Sequence, residues 1–444
     1  MKQFKTAVAL SIIASILVAG CGGTKPQADT KTAPAAQTAQ KTVEPSGEIE
    51  VAIPAGDYQE FLKNEIIPGF QSKFPKVTVK LTQIPEAAQF TARLAANNPP
   101  DVYMGVFGYE PAKYAKMGKL VNLETLPGAK ELTDRIDPQY VHKDFGGLYY
   151  IPWNATTQML IYNKQLFEEA GITKAPETWD EYLEDAKKIQ ALPPRKDGTK
   201  VYGNVFWNEA LTWGGWYWTM LAQVYYNGNG GQYQLFNKLG SDIVFDKPEA
   251  HMADFLAFAK EAQKYAPPTM KEPFFNRNIG MWIQFGYGWK ANLKTAKDTP
   301  MEIGKDVAVA PIPTREKGQP HYSTLDGRAL MIFKTTPERE AASWEFIKTL
   351  MEKENNLKAL KALGQLPTLK ELQGDPWFQT PGNKEFVDQT KYVLPNEPLA
   401  AVDDVSNELL KVYNEVVVKG SMTPEEGVQQ AAKAAREILK KQNQ

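Results

Sequence analysis

Cys21 is the only cysteine in the chain, so neither a disulfide framework nor a cysteine-based metal site can form. Its surroundings give it a different chemistry. Lys2 and Lys5 precede an apolar run from Thr6 to Ala19, and Val18, Ala19 and Gly20 lead into the thiol. A basic start, a short apolar stretch and small residues make residues 1–20 a secretory signal peptide, too short to span a bilayer comfortably. Cleavage there leaves Cys21 as a new N-terminus for acylation, and stable anchoring takes about two such signals. The other reactive side chains are scattered. His142, His251 and His321 stand alone, and neither Gly-x-Ser-x-Gly nor His-Glu-x-x-His occurs. A glycoside hydrolase needs two carboxylates at a fixed separation; carboxylates are plentiful, but none is set in recognisable catalytic surroundings. No cofactor and no metal are expected. Aromatic surface, in contrast, is concentrated: Trp207, Trp213, Trp216, Tyr217 and Trp218 lie close together. Such clusters more often build core, but Gly214 and Gly215 place Trp213 near a turn, where its ring could meet a ligand.

These residues need elements to position them. Gly22 to Ser46 is rich in Thr, Lys, Gln, Ala and Pro and has almost nothing to bury, so residues 21–46 are expected to be a lipidated cysteine and flexible tether. About 400 residues remain, more than one core usually serves. The net charge of −1 and the lack of basic blocks give no sign of a nucleic-acid partner. Glu48 to Ile53 alternates polar and apolar and predicts a strand; Val77–Leu81 and Asp101–Val106 predict two more. Helices are predicted over Tyr58–Phe74 and Glu86–Ala96. This alternation argues an α/β fold with a mostly parallel sheet, whose ligands sit beyond the carboxyl ends of strands. Asp57 and Tyr58 after the first strand, and Phe107 and Tyr109 after the third, are therefore candidate contacts. Thr178-Trp179-Asp180-Glu181 and Thr423-Pro424-Glu425-Glu426 are capping boxes that open helices, and a further helix spans Glu340–Leu350. Trp179, Trp344 and Trp377 are expected to be structural.

Gly146 to Ile189 contains a Gly-aromatic strand ending Ile151-Pro152, then Tyr162-Asn163-Lys164, Ala170-Gly171-Ile172 and Thr178-Trp179-Asp180-Glu181. Val307–Pro313, Asp326–Ile332, Ala341–Ile347, Gly364-Gln365-Leu366-Pro367-Thr368 and the run from Gly420 to Glu426 follow in order. Together they resemble the family 1 extracellular solute-binding proteins, the group that includes maltose-binding protein. The resemblance covers most of residues 47–444. It implies a two-lobed periplasmic-binding-protein-like fold with a ligand cleft between the lobes and three hinge crossovers, near Trp153–Thr157, Ser323–Arg328 and Leu363–Thr368. One lobe is expected from 47–154 and 327–365, the other from 157–323 and 368–444. A ligand would close the lobes by hinge motion.

The resemblance also points to Trp153 and Asn154, to Tyr287 and Trp289 within Gly286-Tyr287-Gly288-Trp289, and to Asp326 and Arg328 at the second crossover. Arg328 and Asp326 could equally pair across the hinge. Sugars present apolar C–H faces and a rim of hydroxyls, which suit rings flanked by amides and carboxylates. A neutral oligosaccharide is the expected ligand, delivered to ABC-transporter permease subunits by a monomer whose only membrane contact is its lipid. Other ligands stay open. A uronate could be held by Arg328 or Arg277 through a bidentate pair, and relatives carry polyamines, phosphorylated polyols or ferric iron. Tyr149-Tyr150 and Tyr225-Tyr226 invite the last, but neighbours on a strand face opposite ways. A sensor that presents its ligand to a receptor has the same sequence. The long tether and lysine-rich composition lean towards a Gram-positive outer surface, with the periplasm as the alternative.

Overall fold

A computed structural model describes residues 43–442, apart from 86, 107–108, 144–145, 208–214, 219, 270–273, 286–292, 294–299, 396 and 398. Cys21, Phe107, Trp213, Tyr287 and Trp289 therefore lie outside the described residues.

Two sheets organise the chain. The first contains β1 (Gly47–Ile53), β2 (Val77–Gln83), β3 (Val102–Val106), β4 (Ile151–Thr156), β9 (Ser323–Ile332) and β10 (Val393–Pro395), in the order β10-β9-β3-β1-β2 with β4 also on β9. The second is β6 (Tyr202–Val205), β7 (Ile279–Phe285), β5 (Gln158–Asn163) and β8 (Val307–Ala310), in that spatial order. β1 pairs parallel with β2 and β3, as the α/β alternation requires, while β9 returns antiparallel to β3 and β4. β3 is buried throughout, consistent with its nearly continuous apolar sequence.

The helices begin where the sequence signals them. α1 (Asp57–Phe61) and α2 (Ile67–Lys73) fill the expected first helix, joined by a π turn over Leu62–Ile66. Pro68 is the physical reason for the turn: it lacks an N–H and its ring crowds the carbonyl four residues back. α3 (Ala87–Ala95) and α4 (Tyr109–Lys116) follow β2 and β3. In α5 (Trp179–Gln190), Thr178 Oγ1 accepts the Glu181 N–H at 3.2 Å, and Glu181 returns a bond to Glu177 N at 2.7 Å. α6 (Gly215–Trp218), α7 (Leu221–Gly228) and α8 (Met252–Ala262) come next. α9 (Pro337–Leu350) starts three residues earlier than the sequence suggested, because Thr336 caps it and Pro337 occupies its first turn. α10 (Lys353–Leu363), α11 (Val402–Tyr413) and α12 (Pro424–Gln442) complete the helices used below. At the head of α12 the Thr423–Glu426 box closes in both directions, at 3.0 and 3.3 Å.

Two apolar clusters result. One gathers the first sheet, α1, α2 and α9 with one face of the second sheet; the other gathers α5, α7, α8, α11 and α12 on the opposite face of the second sheet. Trp344 is buried in the first cluster and donates its indole N–H to Pro127 O at 2.7 Å. Trp179 stacks on Phe258 in the second, with centroids 4.6 Å apart.

Two runs of chain pass between the sheets, and a third, after α10, lies beside them. β4 leads directly into β5 at Thr157. The stretch Ser323–Arg328 forms the first part of β9. Leu366, just after α10, exchanges backbone bonds with Ala155 at 2.8 and 2.9 Å. Gln158 ties the first two runs together, its N–H donating to Ser323 Oγ at 2.8 Å and its Oε1 accepting from Ser323 and Thr324 at 2.7 and 3.0 Å.

Candidate ligand-binding site

The carboxyl ends of β1 and β3, the end of β4 and the middle of β9 converge on one spot. β1 ends at Ile53, and Gly56, with φ of +78°, turns the chain into α1 in a conformation suited to glycine. That turn points Tyr58 inward and leaves Asp57 exposed. Asp57 instead borders a separate open groove of about 600 Å³ with Glu60, Asn64, Lys358 and Lys361, so the two neighbouring candidates are not brought together.

β4 carries a register shift between Pro152 and Asn154, a bulge centred on Trp153. The Trp153 side chain is fully buried, its ring 5.9 Å from that of Tyr58 and tilted by 57°, and its indole N–H has no partner among the described residues. It therefore packs behind Tyr58. Asn154 is buried beside it, and its Oδ1 accepts the Arg328 N–H at 3.1 Å. Arg328 sits in register between Asn154 and Val106 and is the one residue of β9 that is not fully buried. Its guanidinium lies over the Tyr58 ring, 5.5 Å from the centroid, a cation–π arrangement worth about 0.5–1 kcal/mol where exposed and more where desolvated.

Two acids flank this cation. Asp326 is buried, and burial pushes its carboxyl up to about 6, against the pull of the Gly327 N–H and the Arg328 charge. Glu110, in the first turn of α4, folds back to accept the Val106 N–H and the Tyr103 hydroxyl, the latter at 3.1 Å. Burial raises it to about 7, with the charge of Asp403 adding to the rise. Gly105 makes this possible, because a Cβ there would collide with the Glu110 carboxylate and Met331. Tyr109 opens the same helix. From α4, Lys113 reaches Asp403 of α11 at 3.5 Å, and a hollow of about 410 Å³ lies alongside, lined by Ala112, Lys116, Leu239, Leu399 and Leu439 among others.

The dense aromatic run behaves differently. Trp216 and Tyr217 of α6 are buried, and Trp216 packs against Tyr225 and Phe255 at 5.8 Å from each. Tyr225 and Tyr226 lie in α7 and are wholly enclosed. Arg277, the other cation considered for an anionic ligand, pairs with Asp306 at 3.3 Å and donates to Pro300 O.

Sequence reasoning overlooked Glu110 and Gln365. An acid in the first turn of a helix after a strand was a usable signal for Glu110. Gln365, whose Nε2 bonds to Tyr58 Oη at 2.9 Å, had none beyond its place in the Gly364–Thr368 run.

Two sheets joined by adjacent chain passages, with charged and aromatic side chains gathered where they meet, define a two-lobed α/β ligand-binding protein. Comparison with known proteins agrees. Residues 55–357 match the family described as bacterial extracellular solute-binding protein, and the chain belongs to that family. It is 27% identical over 347 residues to the diacetylchitobiose binding protein DasA of Streptomyces coelicolor, covering 75% of each chain. It is 23% identical over 377 residues to the maltotriose-binding protein of Pyrococcus abyssi, covering 79% of this chain and 77% of that one. The maltose-bound structure of T. maritima MalE3 matches with a TM-score of 0.73 at 24% identity, over 88% of this chain and 99% of that one. The family consists of extracellular binding proteins rather than enzymes, which places this chain outside the cytoplasm.

Proposed function

We propose that this protein captures a neutral oligosaccharide between its two halves and delivers it to the permease of an ABC importer. The observation that carries the reading is membership of the solute-binding family together with relatives whose names specify oligosaccharides. Neutrality rests on the electrostatics around Arg328. Its guanidinium is spread over the Tyr58 ring, and the buried acid Asp326 stands two residues away on the same strand, so a uronate carboxylate would enter beside an acid already in place. Residues 47–154 with 327–365, and 157–323 with 368–444, act as the two lobes. Tyr58 and Arg328 form the ligand-facing surface on one side, and Trp213, Tyr287 and Trp289 supply stacking rings. Acylated Cys21 holds the monomer at the membrane through the 21–46 tether, with the folded part outside the cytoplasm.

A thermal-shift panel of maltotriose, diacetylchitobiose, uronate oligomers, polyamines and phosphorylated polyols tests the ligand. A ligand at about a thousand times its Kd stabilises by about 4 kcal/mol, which is several degrees. A shift with one neutral sugar class supports the reading; a shift with uronates alone overturns it. In cells, Cys21→Ala should move the protein from the membrane to the soluble fraction, and unchanged membrane retention would exclude the anchor.

A further inference from the structure

The three neighbouring runs of chain meet around the Tyr58 side chain. Gln365, on the third run beside the Leu366–Ala155 pairing, donates from Nε2 to Tyr58 Oη at 2.9 Å. Arg328, on the second run, lays its guanidinium over the ring of the same tyrosine, 5.5 Å from the centroid, and Asn154, on the first, lies in register beside Arg328. Asn154 accepts the Arg328 N–H at 3.1 Å, which links the first two runs beside the ring. Gln365 is buried, and its Oε1 has no partner among the described residues. A buried group left unsatisfied needs a reason, and among the described residues the one side-chain bond that this amide makes goes to Tyr58. A methionine would fill similar space without the orphan carbonyl.

The geometry points to Gln365 as a positioning residue that couples the ligand surface to the hinge: through Tyr58 Oη it ties the ring beneath Arg328 to a run of chain that passes between the halves. A ligand engaging Arg328 fixes the Tyr58 ring, and the hydroxyl then fixes Gln365 in the setting that belongs to the closed protein. The ligand favours closure by its differential affinity for that setting, and the Gln365–Tyr58 bond carries part of this difference. Gln365 itself need not touch the ligand.

A double-mutant cycle tests the coupling, and its affinity arm rests on the solute-capture reading. Spin labels are placed at Lys130→Cys and Lys264→Cys, exposed positions assigned to opposite halves, in the full chain carrying Cys21→Ala. Label distances are recorded with and without maltotriose and diacetylchitobiose, and calorimetry gives the affinities. Gln365→Met should shift the distances towards the open form and weaken sugar binding about tenfold, a coupling of ordinary size. Tyr58→Phe, which removes only the hydroxyl, should do the same, and the double variant should be no worse than either single one. Independent, additive effects overturn the proposal, as does a Gln365→Met protein whose label distances match the wild type. Gln365→Leu replaces Gln365→Met if the latter does not fold. Should neither sugar bind the wild type, the ligand reading fails, and the ligand-free distances alone decide the coupling by the same non-additivity.

Discussion

Around Tyr58 and around Trp216 the chain gathers the same kinds of residue, large rings beside a buried carboxylate, and gives them different tasks. In the second region Trp216, Tyr225, Tyr226 and Phe255 enclose one another on α6, α7 and α8. The nearby acid, Glu397, accepts the N–H groups of Leu235 and Phe236 at 3.1 and 2.8 Å. Burial pushes Glu397 up to about 8, although those two amides and the Tyr217 hydroxyl favour its charged form. In the first region the rings of Tyr58 and Trp153 back a cation, and the acids Asp326 and Glu110 balance it. The difference comes from the elements beneath. Rings on helices that pack against other helices are covered on all sides. Tyr58, in the first turn of α1, and Trp153, in the β4 bulge, lie next to chain passing between sheets and keep polar neighbours that can respond to a ligand.

The largest expected effect breaks the second region. Trp216→Ala removes a fully enclosed ring and should cost about 3–5 kcal/mol, measured by urea denaturation, while the folded fraction keeps its sugar affinity. A stable Trp216→Ala protein that had lost its ligand would move that cluster from core to site.

The next effect breaks the first region. Arg328→Ala should weaken sugar binding by tenfold or more, about 1.4 kcal/mol, and disturb global stability less than Trp216→Ala does. Arg328→Lys keeps the charge but loses the planar fork, so calorimetry should place it between the two. Full affinity in Arg328→Ala removes the guanidinium from the ligand surface.

A smaller effect sharpens the electrostatic contrast. Asp326 has a folded-state value of about 6, above its ordinary 3.8. Its contribution is therefore most favourable below about 3.8 and is lost as pH rises through about 6. Asp326→Asn should flatten the fall in unfolding free energy across that window, followed by denaturation at stepped pH. Equal slopes in variant and wild type would mean that Asp326 ionises freely.

The smallest effect concerns neither region and calibrates both. Thr423→Ala removes the cap of α12 and should cost about 1 kcal/mol, a modest drop in melting temperature. It should leave sugar affinity unchanged; altered affinity would show that α12 communicates with the site.

Much of this architecture was legible from local patterns. The alternation in Glu48–Ile53 predicts β1, the Thr178 and Thr423 boxes predict the starts of α5 and α12, and the ordered run from Gly146 to Ile189 supports the family. Tyr58 and Arg328 could be proposed as site residues from their positions after a strand and at a crossover. Their partnership could not. Tyr58 and Gln365 are 307 residues apart in sequence, and Arg328 and Asn154 are 174 apart. The burial of Trp153 depends on a bulge that no local pattern announces, and the tuck of Glu110 depends on Gly105 lying against Met331. By itself, then, the sequence determined the elements, their order and the family, because periodicity and caps act over a few residues. Only the tertiary structure decided which rings are core, which carboxylates are held partly neutral and which amide holds the Tyr58 hydroxyl. Each of those depends on exclusion of water by segments distant in the chain.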